Sequence, residues 1–323
     1  MQKKALITGI AGQDGSYLAK LLLCKGYRVH GITRKDTNSL EHHKHLGIDG
    51  ACHLHHTDVT NLIAISSLVN ELQPEEIYHL AAQSSVAESF KSPYPTIYFN
   101  TISTLTLLEA IRTGNAEIKF FHASSSEIYG NNPSQPLAIT SPINPTTPYG
   151  VSKASAHLMV KNYRKDNNLY AINGVLFPHE SPLRHAGSFT KSLIRQALAI
   201  KNGRSHPIIL GQIENKRDFG NAQEYVLAMW LALQAEMAND YVIGTGVATS
   251  IKSIAEYVCA AVGIPYTVIT TDSRSHTEPI TTIIANPTEA SKQLDWSASD
   301  TIYATIDSMI LFEKMAKPIP YDS

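Results

Sequence analysis

Cysteine is nearly absent: three in 323 residues, Cys24, Cys52 and Cys259, with no close pair and no Cys-x-x-Cys. That excludes a disulfide-stapled scaffold and leads us to expect free, buried thiols in a reducing compartment. Charge is also sparse, at 17% of residues, and almost balanced at a net −1. There is no basic surplus to draw a nucleic acid or an anionic membrane. No apolar run reaches the length of a transmembrane helix. The start, Met1-Gln2-Lys3-Lys4, leads straight into a short strand-like segment rather than a signal-peptide core. Internal repeats and low-complexity stretches are missing too. The expected partner is a small molecule, and the expected location is cytoplasmic. What remains is an ordinary globular balance, 43% hydrophobic, in a chain long enough for one large or two intimate domains.

The first half alternates strand and helix. Strand-like runs occur at Ala5–Thr8, Arg28–Ile32, His53–His56, Glu76–Leu80, Ile118–His122 and Ala171–Phe177. Helical patterns lie between them at Ser16–Lys25, Leu62–Leu72 and Thr96–Thr113. Such alternation predicts an α/β fold, a Rossmann-type doubly wound parallel sheet with helices on both faces. After Phe177 the order loosens, and helical stretches at Lys191–Lys201, Ala222–Gln234 and Ile251–Val262 stand among segments rich in Pro, Gly and His. These suggest a smaller α/β substrate-binding lobe. The expected division is a dinucleotide-binding domain over 1–177, with returning segments near 218–244, and a lobe made mainly of 178–217 and 245–323.

Thr8-Gly9-Ile10-Ala11-Gly12-Gln13-Asp14-Gly15 joins the first strand to the first helix. Glycines there let the backbone approach a pyrophosphate, which the helix N-terminus binds through its N–H groups. The spacing is GxxGxxG, weak as a pattern and strong in this position. Gly9, Gly12, Gln13, Asp14 and Gly15 are therefore candidate cofactor contacts. After the second strand come Arg34, Lys35 and Asp36. The basic pair suits the 2′-phosphate of NADP, whereas the carboxylate leaves NAD as the alternative. Asp58 follows the third strand; it could accept from an adenine amino group or cap the helix starting near Asn61. Leu80, Ala81 and Gln83 follow the fourth strand, at the sheet edge where ligands of such folds bind.

Tyr149 and Lys153 are four residues apart and share one helix face. A nearby ammonium favours the phenolate, so the Tyr149 pKa is expected to fall toward working pH. A phenolate can take a hydroxyl proton while a hydride leaves the same carbon. Ser124-Ser125-Ser126-Glu127 lies just upstream, and its carboxylate is a second base that makes elimination possible. The competing structural readings are a core tyrosine and a helix-start carboxylate. Two histidine groups, His42, His43 and His45, then His53, His55 and His56, lack any catalytic-metal spacing. They read as solvated loop and strand residues, and no metal is expected.

The TGxxGxxG start, Leu80-Ala81-Ala82-Gln83, the Ser-x-Glu and the YxxxK together resemble the extended short-chain dehydrogenases/reductases. Longer runs are more specific. Ile7 to Leu18, Asn173 to Pro182, and Asn215-Lys216-Arg217-Asp218-Phe219-Gly220 with Glu224 to Trp230 resemble GDP-mannose 4,6-dehydratases. The resemblance runs from about residue 4 to Trp296. It implies NADP as cofactor and a sugar nucleotide, GDP-mannose, as substrate. It also implies a catalytic set of Ser125, Glu127, Tyr149 and Lys153, with the last two also touching cofactor. Tyr149 would deprotonate the sugar 4-hydroxyl with Ser125 bonded to the same oxygen, while Lys153 holds the nicotinamide ribose. Glu127 would remove the C5 proton before water leaves from C6. Expected substrate contacts are Ser84, His179, Glu180, Lys191, Arg217 and His276.

The substrate side departs from the family pattern. Pro178 stands for an Asn, Thr146 for an Arg, and Lys191-Ser192 for a basic pair. His276 stands for a diphosphate-clamping Arg, with Arg274 nearby. Each lost charge-assisted contact is worth roughly 1.5–3 kcal/mol. A related GDP-sugar 4-keto reductase, epimerase or dehydrogenase is therefore the alternative, and a non-catalytic NADP-binding scaffold a third reading. The family's further arginines after Arg34, which reach a neighbouring subunit, are also missing. A homodimer through helices near 96–112 and 150–166 is expected, with a tetramer as the alternative.

Overall fold

The computed structural model describes residues 2–34, 40–204, 206–271 and 281–315. Lys35, Asp36, Arg274 and His276 lie outside the described residues. In the first half, β1 (Lys4–Thr8), α1 (Gln13–Cys24), β2 (Arg28–Thr33), α2 (Glu41–Leu46), β3 (His53–His56), α3 (Leu62–Leu72) and β4 (Glu76–His79) follow one another. They lead to α4 (Val86–Lys91), α5 (Pro93–Thr113), β5 (Lys119–Ser125), α6 (Pro148–Asp166) and β6 (Ala171–Leu176). The second half holds β7 (His179–Glu180), α7 (Phe189–Lys201), β8 (Ile208–Leu210), β9 (Lys216–Asp218), β10 (Gly220–Asn221) and α8 (Ala222–Gln234). It continues with β11 (Tyr241–Ile243), β12 (Ala248–Ser250), α9 (Ile251–Val262), β13 (Ile269–Thr271), β14 (Thr282–Ile283), α10 (Thr288–Leu294) and α11 (Ile302–Met315).

The main sheet has the order β11-β6-β5-β4-β1-β2-β3, and every pairing in it is parallel. Both faces are apolar, as a doubly wound sheet requires. Ala5, Ile7, Val29, Tyr78, Phe121 and Ile172 pack on one face with α1 and α8. Leu6, Ile32, Ile77 and Phe120 pack on the other with α3 and α5. Strand order reverses between β1 and β4, so a crevice opens beyond their C-terminal ends. A separate apolar cluster ties α7, α9 and α11 through Leu193, Ile194, Ile254, Val258, Ile306 and Met309. Residues 288–296 return to the sheet, where Ala290, Leu294 and Trp296 join the α1–α8 cluster.

Three local expectations change. Asn61, not Asp58, caps α3 by accepting from the Ala64 N–H at 3.1 Å. Asp58 is exposed and accepts from its own turn, at the Thr60 N–H and hydroxyl. The histidines are not simply solvated: His43 is buried with Nε2 3.3 Å from the Ile10 carbonyl, and His53 and His55 stack on buried His30. Of the cysteines only Cys259 is buried, while Cys24 is exposed. Among the described residues no group of three or more His, Cys, Asp or Glu could hold a metal ion, and no helix is long and apolar enough to cross a membrane.

Candidate active site

A cleft of about 840 Å³ lies over the C-terminal edge of the sheet. Its floor is the turn between β1 and α1. Gly9 has φ +74°, and a Cβ there would meet Ala81 N at 2.8 Å, so only glycine lets this turn sit against the segment after β4. Gly12 begins α1 with extended backbone and no side-chain cap, which leaves the first-turn N–H groups facing the cleft end of the helix. Such a cradle fits a diphosphate. Gly9, Gly12, Gln13, Asp14, Gly15, Leu80, Ala81, Gln83 and Ser84 all line the cleft. Arg34 lines it at the end of β2, with its guanidinium 5.4 Å from the centre of the Phe99 ring.

The reactive wall comes from β5 and α6. Thr147 caps α6 by accepting from the Gly150 N–H at 2.9 Å, and Pro148 takes the first helical position. A Cβ on Gly150 would lie 2.6 Å from the Glu127 carbonyl, so glycine lets the first turn of α6 rest on the Ser126–Tyr129 turn. That contact brings Tyr149 beside Ser125, and their hydroxyls share a hydrogen bond. Ser125 also accepts from the Glu127 N–H at 3.3 Å. Lys153 is buried and donates to the Ala123 carbonyl at 2.8 Å. Asn100 fastens α6 to α5 by donating to the Ser152 hydroxyl at 2.9 Å. Ser125, Glu127, Tyr149 and Lys153 all face the cleft.

Electrostatics here depart from the expectation for Tyr149. Burial pushes its phenol up to about 12, against the opposing pull of the Ser125 hydrogen bond. Lys153 does not reverse this: its Nζ is 6.0 Å from the ring centre and turned to the Ala123 carbonyl. Burial brings the Lys153 ammonium itself down to about 8. Glu127 is half-buried, and burial raises its carboxyl above the ordinary value while Arg217 opposes the rise.

On the far wall, His179 Nδ1 is 2.7 Å from the Phe177 carbonyl and Nε2 is 2.9 Å from Asp14 Oδ2. The Phe177 carbonyl takes a proton from Nδ1, and the Asp14 carboxylate facing the other ring nitrogen favours the doubly protonated ring. Burial alone would lower His179 and raise Asp14, but each holds the other charged and both shift the opposite way. His179 lines the cleft. Asp58, Glu180, Lys191 and Arg217 are not among the lining residues. Glu180 is buried with Oε1 3.5 Å from Arg184. Lys191 is buried on α7, turned toward α11. Arg217 donates to the carbonyl and hydroxyl of Thr281 and to the Lys216 carbonyl. Arg184 and Phe99 line the cleft and were not singled out from the sequence. The available signal for Arg184 was a cation two residues beyond Pro182, in the loop after β7.

A family model described as GDP-mannose 4,6 dehydratase matches residues 6–309. A GDP-mannose 4,6-dehydratase of Vibrio cholerae is 36% identical over 348 residues, covering 96% of this chain and 94% of that protein. A human GDP-mannose 4,6 dehydratase is 43% identical over 261 residues, covering 78% of this chain and 70% of that protein. The structure of a dTDP-glucose 4,6-dehydratase from Streptomyces venezuelae, solved with NAD bound, superposes with a TM-score of 0.84 at 19% identity, covering 96% of this chain and 97% of that one. At that identity the superposition speaks for the fold.

Proposed function

The chain belongs to the GDP-mannose 4,6-dehydratase family, and from that membership we propose that it converts GDP-mannose to GDP-4-keto-6-deoxymannose with NADP as resident hydride carrier. The observation that carries this reading is Glu127. Oxidising or reducing C4 needs only the Ser125, Tyr149 and Lys153 set. Removing water across C5 and C6 needs a second base, and Glu127 supplies a half-buried carboxylate on the same wall.

Gly9 and the first turn of α1 would hold the cofactor diphosphate, Arg34 its 2′-phosphate, and Lys153 the nicotinamide ribose. The nicotinamide supplies storage of one hydride, taken from C4 and returned to C6, and in its oxidised form a positive charge that opposes the burial of Tyr149. The remaining steps belong to the protein. Tyr149 takes the proton of the 4-hydroxyl at its phenolic oxygen, with Ser125 bonded to the same oxygen. The 4-ketone acidifies the C5 hydrogen, and Glu127 takes it. Burial that raises the Glu127 carboxyl makes it a stronger base when ionised and a competent acid toward the departing 6-hydroxyl. Two protons leave the sugar; one departs in water and the other returns to C5. At the start of α7 the Ser188 and Thr190 hydroxyls are buried and have no hydrogen-bond partner among the described residues, while Arg184 Nε, nearby in sequence, is ion-paired with Glu180 at 3.5 Å. Together with the first-turn N–H groups of α7 they favour the diphosphate of the nucleotide sugar there.

The assay is incubation with GDP-mannose and catalytic NADP. Loss of one water with no net NADPH supports the reading; NADPH accumulation points to the dehydrogenase alternative. A homodimer is part of the same proposal. Tyr94 (77% exposed), Tyr98 (48%), Val151 (40%) and Leu158 (52%) give α5 and α6 an apolar outer face suited to a second copy. Leu158→Glu should yield a monomer in light scattering, and an unaffected dimer would move the interface elsewhere.

A further inference from the structure

Lys191 lies in the first turn of α7, and the family resemblance makes it a substrate contact. Here it turns the other way. Its Nζ is 2.7 Å from Glu313 Oε1, 2.6 Å from the Pro182 carbonyl and 4.6 Å from the centre of the Phe312 ring. Arg195, one turn further along α7, meets Glu313 Oε2 at 3.3 Å. Two cations of α7 thus converge on one carboxylate of α11, with Lys191 and Glu313 only 7% and 11% exposed. Charges this dry attract strongly, and neither can be left unpaired cheaply.

The position of this pair matters. Pro182 is followed directly by Leu183 and Arg184, which line the cleft. Ser188 and Thr190, near Lys191 at the start of α7, carry buried hydroxyls without partners among the described residues. The start of α7 therefore holds buried donors that no described group engages, beside a lysine engaged by an internal anion.

We propose that Glu313 is a specificity-determining residue that competes with the diphosphate of the nucleotide sugar for Lys191. The inference rests on the reading of the α7 start as the diphosphate subsite. A ligand must bring enough negative charge to draw Lys191 from Glu313, which favours nucleoside diphosphates over monophosphates. Affinity for the substrate is then set partly by α11, far along the chain from the catalytic residues.

GDP is the probe, titrated by calorimetry into the full chain. Glu313→Gln should tighten GDP about fivefold and lower KM for GDP-mannose by a similar factor, with kcat unchanged. GMP affinity should move less than about twofold. The gain should vanish in the Lys191→Met, Glu313→Gln double variant. Unchanged or weaker GDP binding by a folded Glu313→Gln protein, or a gain that persists in the double variant, overturns the proposal. Should Glu313→Gln fail to fold, Lys191→Met decides alone: weaker GDP binding by about threefold or more supports competition, and unchanged binding makes the pair a structural tie. The GDP titration does not depend on turnover. Failure of this inference would leave dehydration intact, and failure to dehydrate GDP-mannose would leave the titration readable.

Discussion

Replacing Glu127 by Gln isolates the step that separates dehydration from simple oxidation. The change keeps the shape of the side chain and removes its charge. Because burial already raises the Glu127 carboxyl, the ionised form is disfavoured where it sits, and its removal should not destabilise the fold. Arg217 loses a charged neighbour but keeps its hydrogen bonds to Thr281 and Lys216. The melting temperature should therefore stay within a few degrees. A positioned general base contributes about 10²–10⁴ in rate, or roughly 3–5.5 kcal/mol of barrier. Dehydration should fall by that factor, while oxidation at C4, which uses Tyr149, Ser125 and Lys153, persists. The assay pairs product mass with stopped-flow absorbance of reduced nicotinamide. The variant should accumulate reduced cofactor together with unreacted 4-keto sugar. In the wild type the base must be ionised, so the rate should fall as pH drops through an apparent value above the ordinary carboxylate range. Dehydration at the wild-type rate in Glu127→Gln would refute the assignment.

Arg34→Ala should weaken NADP binding by roughly 1.5–3 kcal/mol and leave NAD nearly unaffected; equal losses in a fluorescence titration of both would remove the 2′-phosphate contact from the account. Gly150→Ala forces a Cβ to within 2.6 Å of the Glu127 carbonyl, so stability should drop by about 1–3 kcal/mol and activity with it, as read by denaturant melts and turnover. Buried His79 and His157 are brought down to about 3 and about 4, with burial the leading cause. Their folded pKa values are depressed, so the stability they contribute is present above the unfolded value near 6.5 and is lost as pH falls toward 4 and 3. His157→Asn should flatten the stability–pH slope across that window by roughly 3 kcal/mol in total; an unchanged slope would place the acid sensitivity elsewhere.

The parts of the site that were legible in the sequence are those made by short segments. The glycine turn, the Tyr149–Lys153 pair and the Ser125–Glu127 spacing each sit within one strand end or one helix turn, where local geometry dictates which side chains share a face. The limits of α3, α8 and α9 follow from their apolar periodicity for the same reason. What sequence missed depends on distant partners. Tyr149 was expected to titrate low because Lys153 is near in sequence, but burial by the surrounding sheet outweighs an ammonium turned to a carbonyl. Lys191 was expected in the cleft because its partner Glu313 lies on the last described helix and no local pattern announces it. His43 reads as a loop residue until α2 folds onto the β1–α1 turn and buries it.

The central claim is that one hydride travels within the sugar, from C4 to C6. GDP-mannose carrying deuterium at C4, incubated with the full chain and catalytic NADP, tests this directly. The product should be lighter by one water, with the deuterium at C6 and no label left in the cofactor pool. Deuterium in accumulated NADPH, or a product that keeps every atom of water, would contradict it.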